Sequence, residues 1–350
     1  MTTSTQTGPD ELLALLSARG VELWLDGDRL RFRAPAGVMT DDLRAMLRGA
    51  GPALRDRLKQ PVTAPGAVTA SQAVVDDRCL MLLAKGTLPA LFCMHSVSGG
   101  ATYYRGLALE AGTADAVPAL YGLCAEGFDL SRPPRTRIED MAEGYIRQIR
   151  LVQPHGPYRL CGFSMGGLIA HEVATQLEAA GERIDFLGVF DTRLDELRHQ
   201  RDGVDRAAQV HWLTFINICA GAVPPELHDP DHYFWQLDRS RKLELILAAA
   251  KVHNTRRFPS QADQAYIEQA YAFYDTMETA ASIYRPAPVR SDLTYFQVME
   301  APDPRAAEDW AALTRGRFRL VRATGSHFSL FGDAANARAL GRQMMELLSA

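Results

Sequence analysis

Several protein classes are excluded by what this sequence does not contain. Its five cysteines, Cys79, Cys93, Cys124, Cys161 and Cys219, are scattered and form no C-x-x-C pair. That argues against a disulfide framework or a thiolate metal site and for reduced thiols in a cytoplasmic protein. Positive charge is not in excess: 38 Lys and Arg against 42 Asp and Glu leave a net charge of -4. No basic field is present to recruit nucleic acid or an anionic membrane. The opening "MTTSTQTGPDELL" has neither a basic n-region nor an apolar h-region, so it does not read as a signal peptide. No apolar run approaches the ~18 residues of a membrane-spanning helix. Internal repeats are lacking too.

What is present suits a globular chain with a sizeable core: 350 residues, 47% of them hydrophobic, and a mean hydropathy of -0.14. The length allows one large domain and a small one. The division is expected near residue 60, because "PVTAPGAVTASQAVVDD" (61–77) is rich in Pro, Ala, Gly, Thr and Ser, as linkers are.

The segment before it is patterned. "DELLALLSARG" (10–20) carries Asp10 as N-cap, apolar residues at helical spacing and a terminal Gly20. "VELWLDGDRLRFRAP" alternates around Asp26-Gly27, which predicts a hairpin with a tight turn. "TDDLRAMLRGAGPALRDRLKQ" predicts a second helix with Thr40 as N-cap and a break at Gly51-Pro52. The order is therefore α-β-β-α. Arg29, Arg31 and Arg33 alternate along one strand and define a charged face suited to an acidic tail; the plainer reading is a solvated face of a small structural module.

From residue 78 strands and helices alternate, which predicts a doubly wound, mostly parallel sheet, the α/β class. The strands are "LMLLA", "ALFCMH", "PALYGL", "YRLCGFS", "FLGVFD", "LTYFQVM" and "RLVRATG"; amphipathic helices are expected at 138–153 and 165–181 and at the chain's end. Residues 195–285 break the alternation with helix-like runs alone and are expected to form an insertion over the C-terminal edge of the sheet. Trp212, Phe215, Tyr233, Phe234 and Trp235 could line a pocket there, or pack the insertion's own core.

The chemistry centres on "LCGFSMGGLIAHE" (160–172). A G-x-S-x-G pattern carries weight only between a strand and a helix, and here "YRLCGF" precedes it and "MGGLIAHEVATQL" follows. A serine on so sharp a turn needs small neighbours, which Gly162, Gly166 and Gly167 supply. Ser164 then sits at a helix N-terminus, where developing negative charge is favoured. An unassisted serine is a weak nucleophile and needs a positioned base. His327, in "ATGSHFSLF", falls between the last strand and the last helix, where the order Ser, acid, His puts it. Of the nine histidines, His171 lies two turns along the helix and His95 ends a strand; both read as structural. The acid is open on the residues alone: Asp191 ends the strand after the serine's, Asp303 follows the next strand, and Glu300 is a weaker competitor.

Two resemblances bear on these choices. "LLALLSARGVELWLDGDRLRFRAPAGVMTDDL" resembles the TubC-like N-terminal docking domains of non-ribosomal peptide synthetases, which implies that residues 1–60 bind the C-terminal peptide of an upstream subunit by β-augmentation. "LFCMHSVSGGATYYRGLA", "VPALYGLCAEGFD", "IEDMAEGYIRQIRLVQPHGPYRLCGFSMGGLIAHEVATQLEAAGERI", "FLGVFDT" and "GSHFSLF" resemble, in order, the thioesterase domains that terminate peptide and polyketide synthetases. The resemblance implies an α/β-hydrolase fold over residues 78–350 with a helical lid. It also implies an acid at Asp191 and an oxyanion hole made of the backbone amides of Val97 and Met165. It implies no bound cofactor: the acyl chain arrives on the phosphopantetheine of a carrier protein. Two departures are visible. The family's common H-P-x-G-G loop reads "HSVSG", with Ser96 and Ser98 in place of proline and glycine, and its W-S reads Phe163-Ser164.

The expected function is thus a serine thioesterase that releases a peptide or polyketide by hydrolysis or macrocyclisation. No carrier motif of the G-x-D-S-L kind is present, so the docking module would replace a covalent tether. The alternatives are an editing thioesterase, an esterase on small soluble esters, and a non-catalytic interaction scaffold.

Overall fold

The computed structural model describes residues 22–26, 29–33, 40, 47, 49–52, 54–55, 79–108, 118–194, 204–253, 262–300 and 302–349. The chain divides into two compact units, Met1–Ala73 and Val74–Ala350. The expected helix at 10–20 and the 61–77 linker lie outside the described residues.

In the first unit, β1 (Glu22–Asp26) and β2 (Arg29–Arg33) form the expected antiparallel hairpin, joined by two residues. The register sets Glu22 opposite Arg33, Trp24 opposite Arg31 and Asp26 opposite Arg29. Directly opposed positions share a face of the hairpin, so the positions of Glu22 and Asp26 fall on the same face as those of the three arginines. The expected break at Gly51-Pro52 is not seen: residues 47, 49–52 and 54–55 are helical. Leu47 and Leu54 on either side are both buried, and this tertiary anchorage overrides the local breaking tendency.

The second unit is built on a seven-stranded sheet: β3 (Leu80–Ala84), β4 (Leu88–Met94), β5 (Pro118–Leu123), β6 (Tyr158–Phe163), β7 (Ile184–Phe190), β8 (Leu293–Val298) and β9 (Phe318–Ala323). Their spatial order is β3-β5-β4-β6-β7-β8-β9. Only β3 runs antiparallel to its neighbour. All six residues of β8 are buried, as expected of a strand covered on both faces.

Helices α1 (Ile138–Val152) and α2 (Met165–Ala179) cover one face. Ile138, Met141, Ala142, Tyr145 and Ile149 of α1 recur at helical spacing and join Leu168, Ile169, Val173 and Leu177 of α2 in one core. The insertion between β7 and β8 supplies α3 (Val204–Ala220), α4 (Arg239–His253) and α5 (Gln264–Ile283). The short α6 (Ala306–Ala311) precedes β9, and α7 (Ala334–Ser349) ends the chain. Leu340, Met344 and Leu348 of α7 pack with Leu107 against the other face. This is the doubly wound architecture of an α/β-hydrolase, with the helical insertion standing as a lid. Among the described residues no helix is long and apolar enough to cross a membrane.

Candidate active site

The centre of the site is the turn from β6 into α2. Ser164 occupies it with φ 56° and ψ -130°. A positive φ is sterically costly for a residue with a Cβ, on the order of 1–3 kcal/mol, and persists only where surrounding bonds over-determine it. Those bonds are present. The Ser164 amide donates to the Phe190 carbonyl at 3.0 Å, and the Ser164 carbonyl accepts from Gly167 N at 2.9 Å and from the Thr192 hydroxyl at 2.7 Å. Gly166 meets a close-approach requirement: a Cβ there would lie 2.5 Å from the Met94 carbonyl oxygen and 2.6 Å from that of His95. The elbow is therefore pressed directly onto the end of β4.

Asp191 follows β7 with φ 42°. Among the described residues three non-glycines have positive φ, Leu130, Ser164 and Asp191, and two of the three face the same cleft. Asp191 is 1% exposed, and its amide donates to the Phe296 carbonyl at 2.8 Å, which hangs the strand end on β8. Its carboxylate Oδ2 lies 2.8 Å from His327 Nδ1, and Val298 N approaches Oδ1 at 3.5 Å. The imidazole of His327 also lies against Phe163, ring centroids 4.7 Å apart. Asp303 is differently engaged, accepting from Arg305 N at 2.9 Å, and Glu300 is exposed. Of the three acids open on the residues alone, Asp191 is the one the structure places on His327.

A cleft of about 50 Å³ collects Ser164, Asp191 and His327 together with Val97, Met165, Leu168, Thr192 and Arg193. The lid closes it with Glu278, Ala281 and Ser282, one face of α5 at i, i+3 and i+4 spacing. Val97 belongs to a tight turn in which Gly99 N donates to the Ser96 carbonyl at 2.8 Å. Gly99 has φ +81° and lies so close to Phe273 and Phe128 that a side chain would collide with their rings. The Ser96 and Ser98 hydroxyls are 3.0 Å apart. These two serines thus bridge the turn where the family commonly carries proline and glycine.

His95 is fully buried. Its Nδ1 lies 2.7 Å from the Ser96 carbonyl and its Nε2 2.7 Å from the Tyr145 hydroxyl. Burial lowers its pKa to about 4, so it is a neutral strut under the Val97 turn. His171 is held in the same way, by burial, with Nε2 3.2 Å from the Leu313 carbonyl and a pKa lowered to about 4. Neither histidine lines the cleft.

The lid aromatics proposed as pocket residues pack elsewhere. Trp212 stacks on Tyr271 at 4.6 Å, Phe215 meets the same ring edge-on at 5.1 Å, and Phe234 lies edge-on to Trp212 and to Trp235. Trp212, Phe215 and Phe234 are buried, Lys242 Nζ stands 5.4 Å from the Trp212 ring, and none of these residues borders the cleft. Of the two readings left open, they build the lid's own core. Arg29, Arg31 and Arg33 are in the other compact unit, on β2, with Arg31 exposed.

Several residues escaped the sequence reading. Thr192 holds the Ser164 carbonyl, and its own carbonyl accepts from the Trp310 indole at 2.7 Å. Tyr104 sends its hydroxyl between the two strand ends. The cue for Thr192 was its place directly after Asp191; nothing local marks Tyr104, whose partners are 10 and 59 residues away in sequence.

A strained serine, an imidazole on a buried carboxylate, and a parallel sheet under a helical lid define the α/β-hydrolase class. Comparison with known proteins narrows it. A family model of the thioesterase domain matches residues 89–343, so the chain belongs to the thioesterase domain family. A second model, the TubC N-terminal docking domain, matches residues 10–60. The chain is 40% identical over 248 residues to a dimodular nonribosomal peptide synthase of Bacillus subtilis, 70% of this chain and 10% of that protein. It is 38% identical over 162 residues to malpinin synthetase of Mortierella alpina, 45% of this chain and 2% of that one. It thus spans a tenth or less of the length of these relatives. In fold it is similar to the NocB thioesterase domain of the nocardicin cluster (TM-score 0.54, 20% identity, 78% of this chain and all of that one). It is also similar to a four-domain nonribosomal peptide synthetase, AB3403 (TM-score 0.64, 22% identity, 77% of this chain and 20% of that one).

Proposed function

We propose that this protein is a chain-releasing serine thioesterase acting on an acyl or peptidyl chain carried as a thioester on the phosphopantetheine of a carrier protein. The observation that carries the reading is the 2.8 Å contact of His327 Nδ1 with buried Asp191 in a cleft shared with Ser164. With Nδ1–H donated to the carboxylate, Nε2 is left as the base. It would take the Ser164 proton as Oγ attacks the thioester carbonyl. The backbone amides of Val97 and Met165 would receive the oxyanion, and each such donor contributes ~2.7–4 kcal/mol in comparable sites. The phosphopantetheine thiol leaves with the proton from His327, giving acyl-Ser164. His327 then deprotonates water, or an amine or hydroxyl of the chain itself, as that group attacks the ester carbonyl; collapse breaks the bond to Ser164 Oγ, which recovers the proton from His327, and releases a free acid or a macrocycle.

A cleft of about 50 Å³ is far smaller than the ~300–1,000 Å³ of pockets that hold small ligands. The α5 face bearing Glu278, Ala281 and Ser282 must therefore withdraw to admit an acyl chain, and its return would exclude water.

Residues 1–60 would act as the docking domain, 61–77 as a linker and 78–350 as the thioesterase domain, with its lid at about 195–285. The hairpin would take the C-terminal peptide of an upstream synthetase subunit as an added strand. Because Glu22 and Asp26 stand opposite Arg33 and Arg29, it would select a partner by charge register, not by net charge.

The test is incubation of the wild type and Ser164→Ala with a panel of peptidyl and acyl pantetheine thioesters, read by mass. Ser164-dependent product with one added water is expected of hydrolytic release, and product without it of cyclisation. Turnover that survives Ser164→Ala would refute the mechanism. Preference for short misloaded acyl groups on many carriers would favour editing. Deleting residues 1–60 should spare small thioesters and slow release from the cognate carrier.

A further inference from the structure

We infer that Tyr104 is a positioning residue for the oxyanion site, setting the distance between its two amide donors through a single buried hydroxyl. The inference rests on the serine thioesterase reading above and adds to it a residue that touches neither substrate nor Ser164. The Tyr104 hydroxyl donates to the Met94 carbonyl at 2.8 Å and accepts from Phe163 N at 2.7 Å. Met94 is the last residue of β4, three before Val97; Phe163 is the last of β6, two before Met165. One oxygen therefore joins the two strand ends from which the two amides follow.

The hydroxyl is suited to a fixed strut. Tyr104 is fully buried, and burial raises its pKa well above the ordinary phenol value, so the proton that bonds Met94 stays in place. The ring is held by Tyr103 at 4.5 Å and edge-on by Phe331 at 5.1 Å. The junction has no slack on its other side, where Gly166 admits no Cβ beside the Met94 carbonyl. Removing the oxygen strands an acceptor on one loop and a donor on the other, and a backbone group without a partner relaxes towards any it can find. Oxyanion stabilisation depends on donors preorganised within a few tenths of an ångström of the developing charge, so such relaxation should act on the transition state and not on ground-state binding.

The experiment uses the full-length protein and Tyr104→Phe, with the octanoyl thioester of N-acetylcysteamine as substrate. Two inhibitors are compared. An octyl trifluoromethyl ketone forms a tetrahedral adduct on serine with an oxyanion between the donors; the matching octyl thioether mimics the ground state. The expected result is a fall in kcat of about tenfold or more with KM within about twofold, less than full loss of one donor. The ketone Ki should rise by the factor by which kcat/KM falls, and the thioether Ki should stay unchanged. A kcat within about twofold of the wild type, or a loss of kcat without loss of ketone affinity, overturns the inference. If Tyr104→Phe does not fold, Gly166→Ala pushes the Met94 carbonyl from the other side and must show the same correlated loss; an uncorrelated one is equally fatal. Fluorophosphonate labelling of wild-type Ser164 separates the two readings. No labelling removes the serine mechanism itself, whereas normal labelling with an unaltered Tyr104→Phe removes only the positioning role.

Discussion

Acid should destabilise this protein through two histidines that have no part in its chemistry. His95 and His171 are both fully buried, and burial lowers each from 6.5 to about 4. His171 Nε2 donates to the Leu313 carbonyl, while its Nδ1 has no hydrogen-bond partner; a proton on Nδ1 would be buried without an acceptor. Above pH 6.5 both rings are neutral in the folded and unfolded chain, and stability is at its full value. As pH falls below 6.5 the unfolded chain takes up the protons first, so stability declines until the folded rings titrate near 4. Linkage gives about 3 kcal/mol per histidine over that window, of which about 2 kcal/mol is lost by pH 5. The pair should therefore cost about 4 kcal/mol at pH 5 relative to pH 7.5, a large share of a typical folding free energy of about 5–15 kcal/mol. Urea unfolding of the full chain, followed by tryptophan fluorescence, measures it; Trp310 lies edge-on to His171 at 5.6 Å and reports locally. In His171→Gln the pH dependence should shrink by about half. Equal stability at pH 7.5 and pH 5, or an undiminished pH dependence in His171→Gln, would refute the argument.

Other outcomes follow from the site and the lid. Asp191→Asn should lower kcat by about 10⁴ by presenting His327 with the wrong hydrogen-bond partner, whereas Asp303→Asn should change it by no more than about twofold; steady-state turnover of one thioester compares them. Gly166→Ala should destabilise the fold by about 1–3 kcal/mol, because the added carbon meets backbone oxygens and not a movable side chain; its urea midpoint checks this. Trp212→Ala should cost the lid about 3–5 kcal/mol of packing, seen as faster amide exchange in α3 to α5 with β4 to β8 unchanged. A change in KM with lid exchange unaltered would instead make Trp212 a wall of the acyl cleft.

Much of the architecture could be read along the chain because it depends on near neighbours. Alternation of strand and helix signals marks a parallel sheet, and G-x-S-x-G between them marks the elbow, since a serine at φ 56° needs small residues within a few positions. His327 was legible for a similar reason, lying in the turn between the last strand and the last helix. Charge along β2 was legible too, but not the positions opposite it on β1, because the hairpin register decides which residues face the arginines across the strands.

The class of fold and the nucleophile and base candidates could be read from the chain alone, because they are consequences of local spacing and periodicity. The carboxylate on His327 was open on local pattern, since Asp191 and Asp303 both follow strand ends; the family resemblance pointed to Asp191, and the fold supplies the reason, the hydrogen bond from the Asp191 amide to Phe296 across two parallel strands that holds it 2.8 Å from the imidazole. Only the tertiary structure decided that Trp212, Phe215 and Phe234 pack with one another while Glu278, Ala281 and Ser282 face the serine, because how each lid helix is rotated against the sheet is set by packing. Tyr104 is the clearest case, since its hydroxyl joins residues 10 and 59 positions away, and contacts closed by chain topology leave no trace in local pattern.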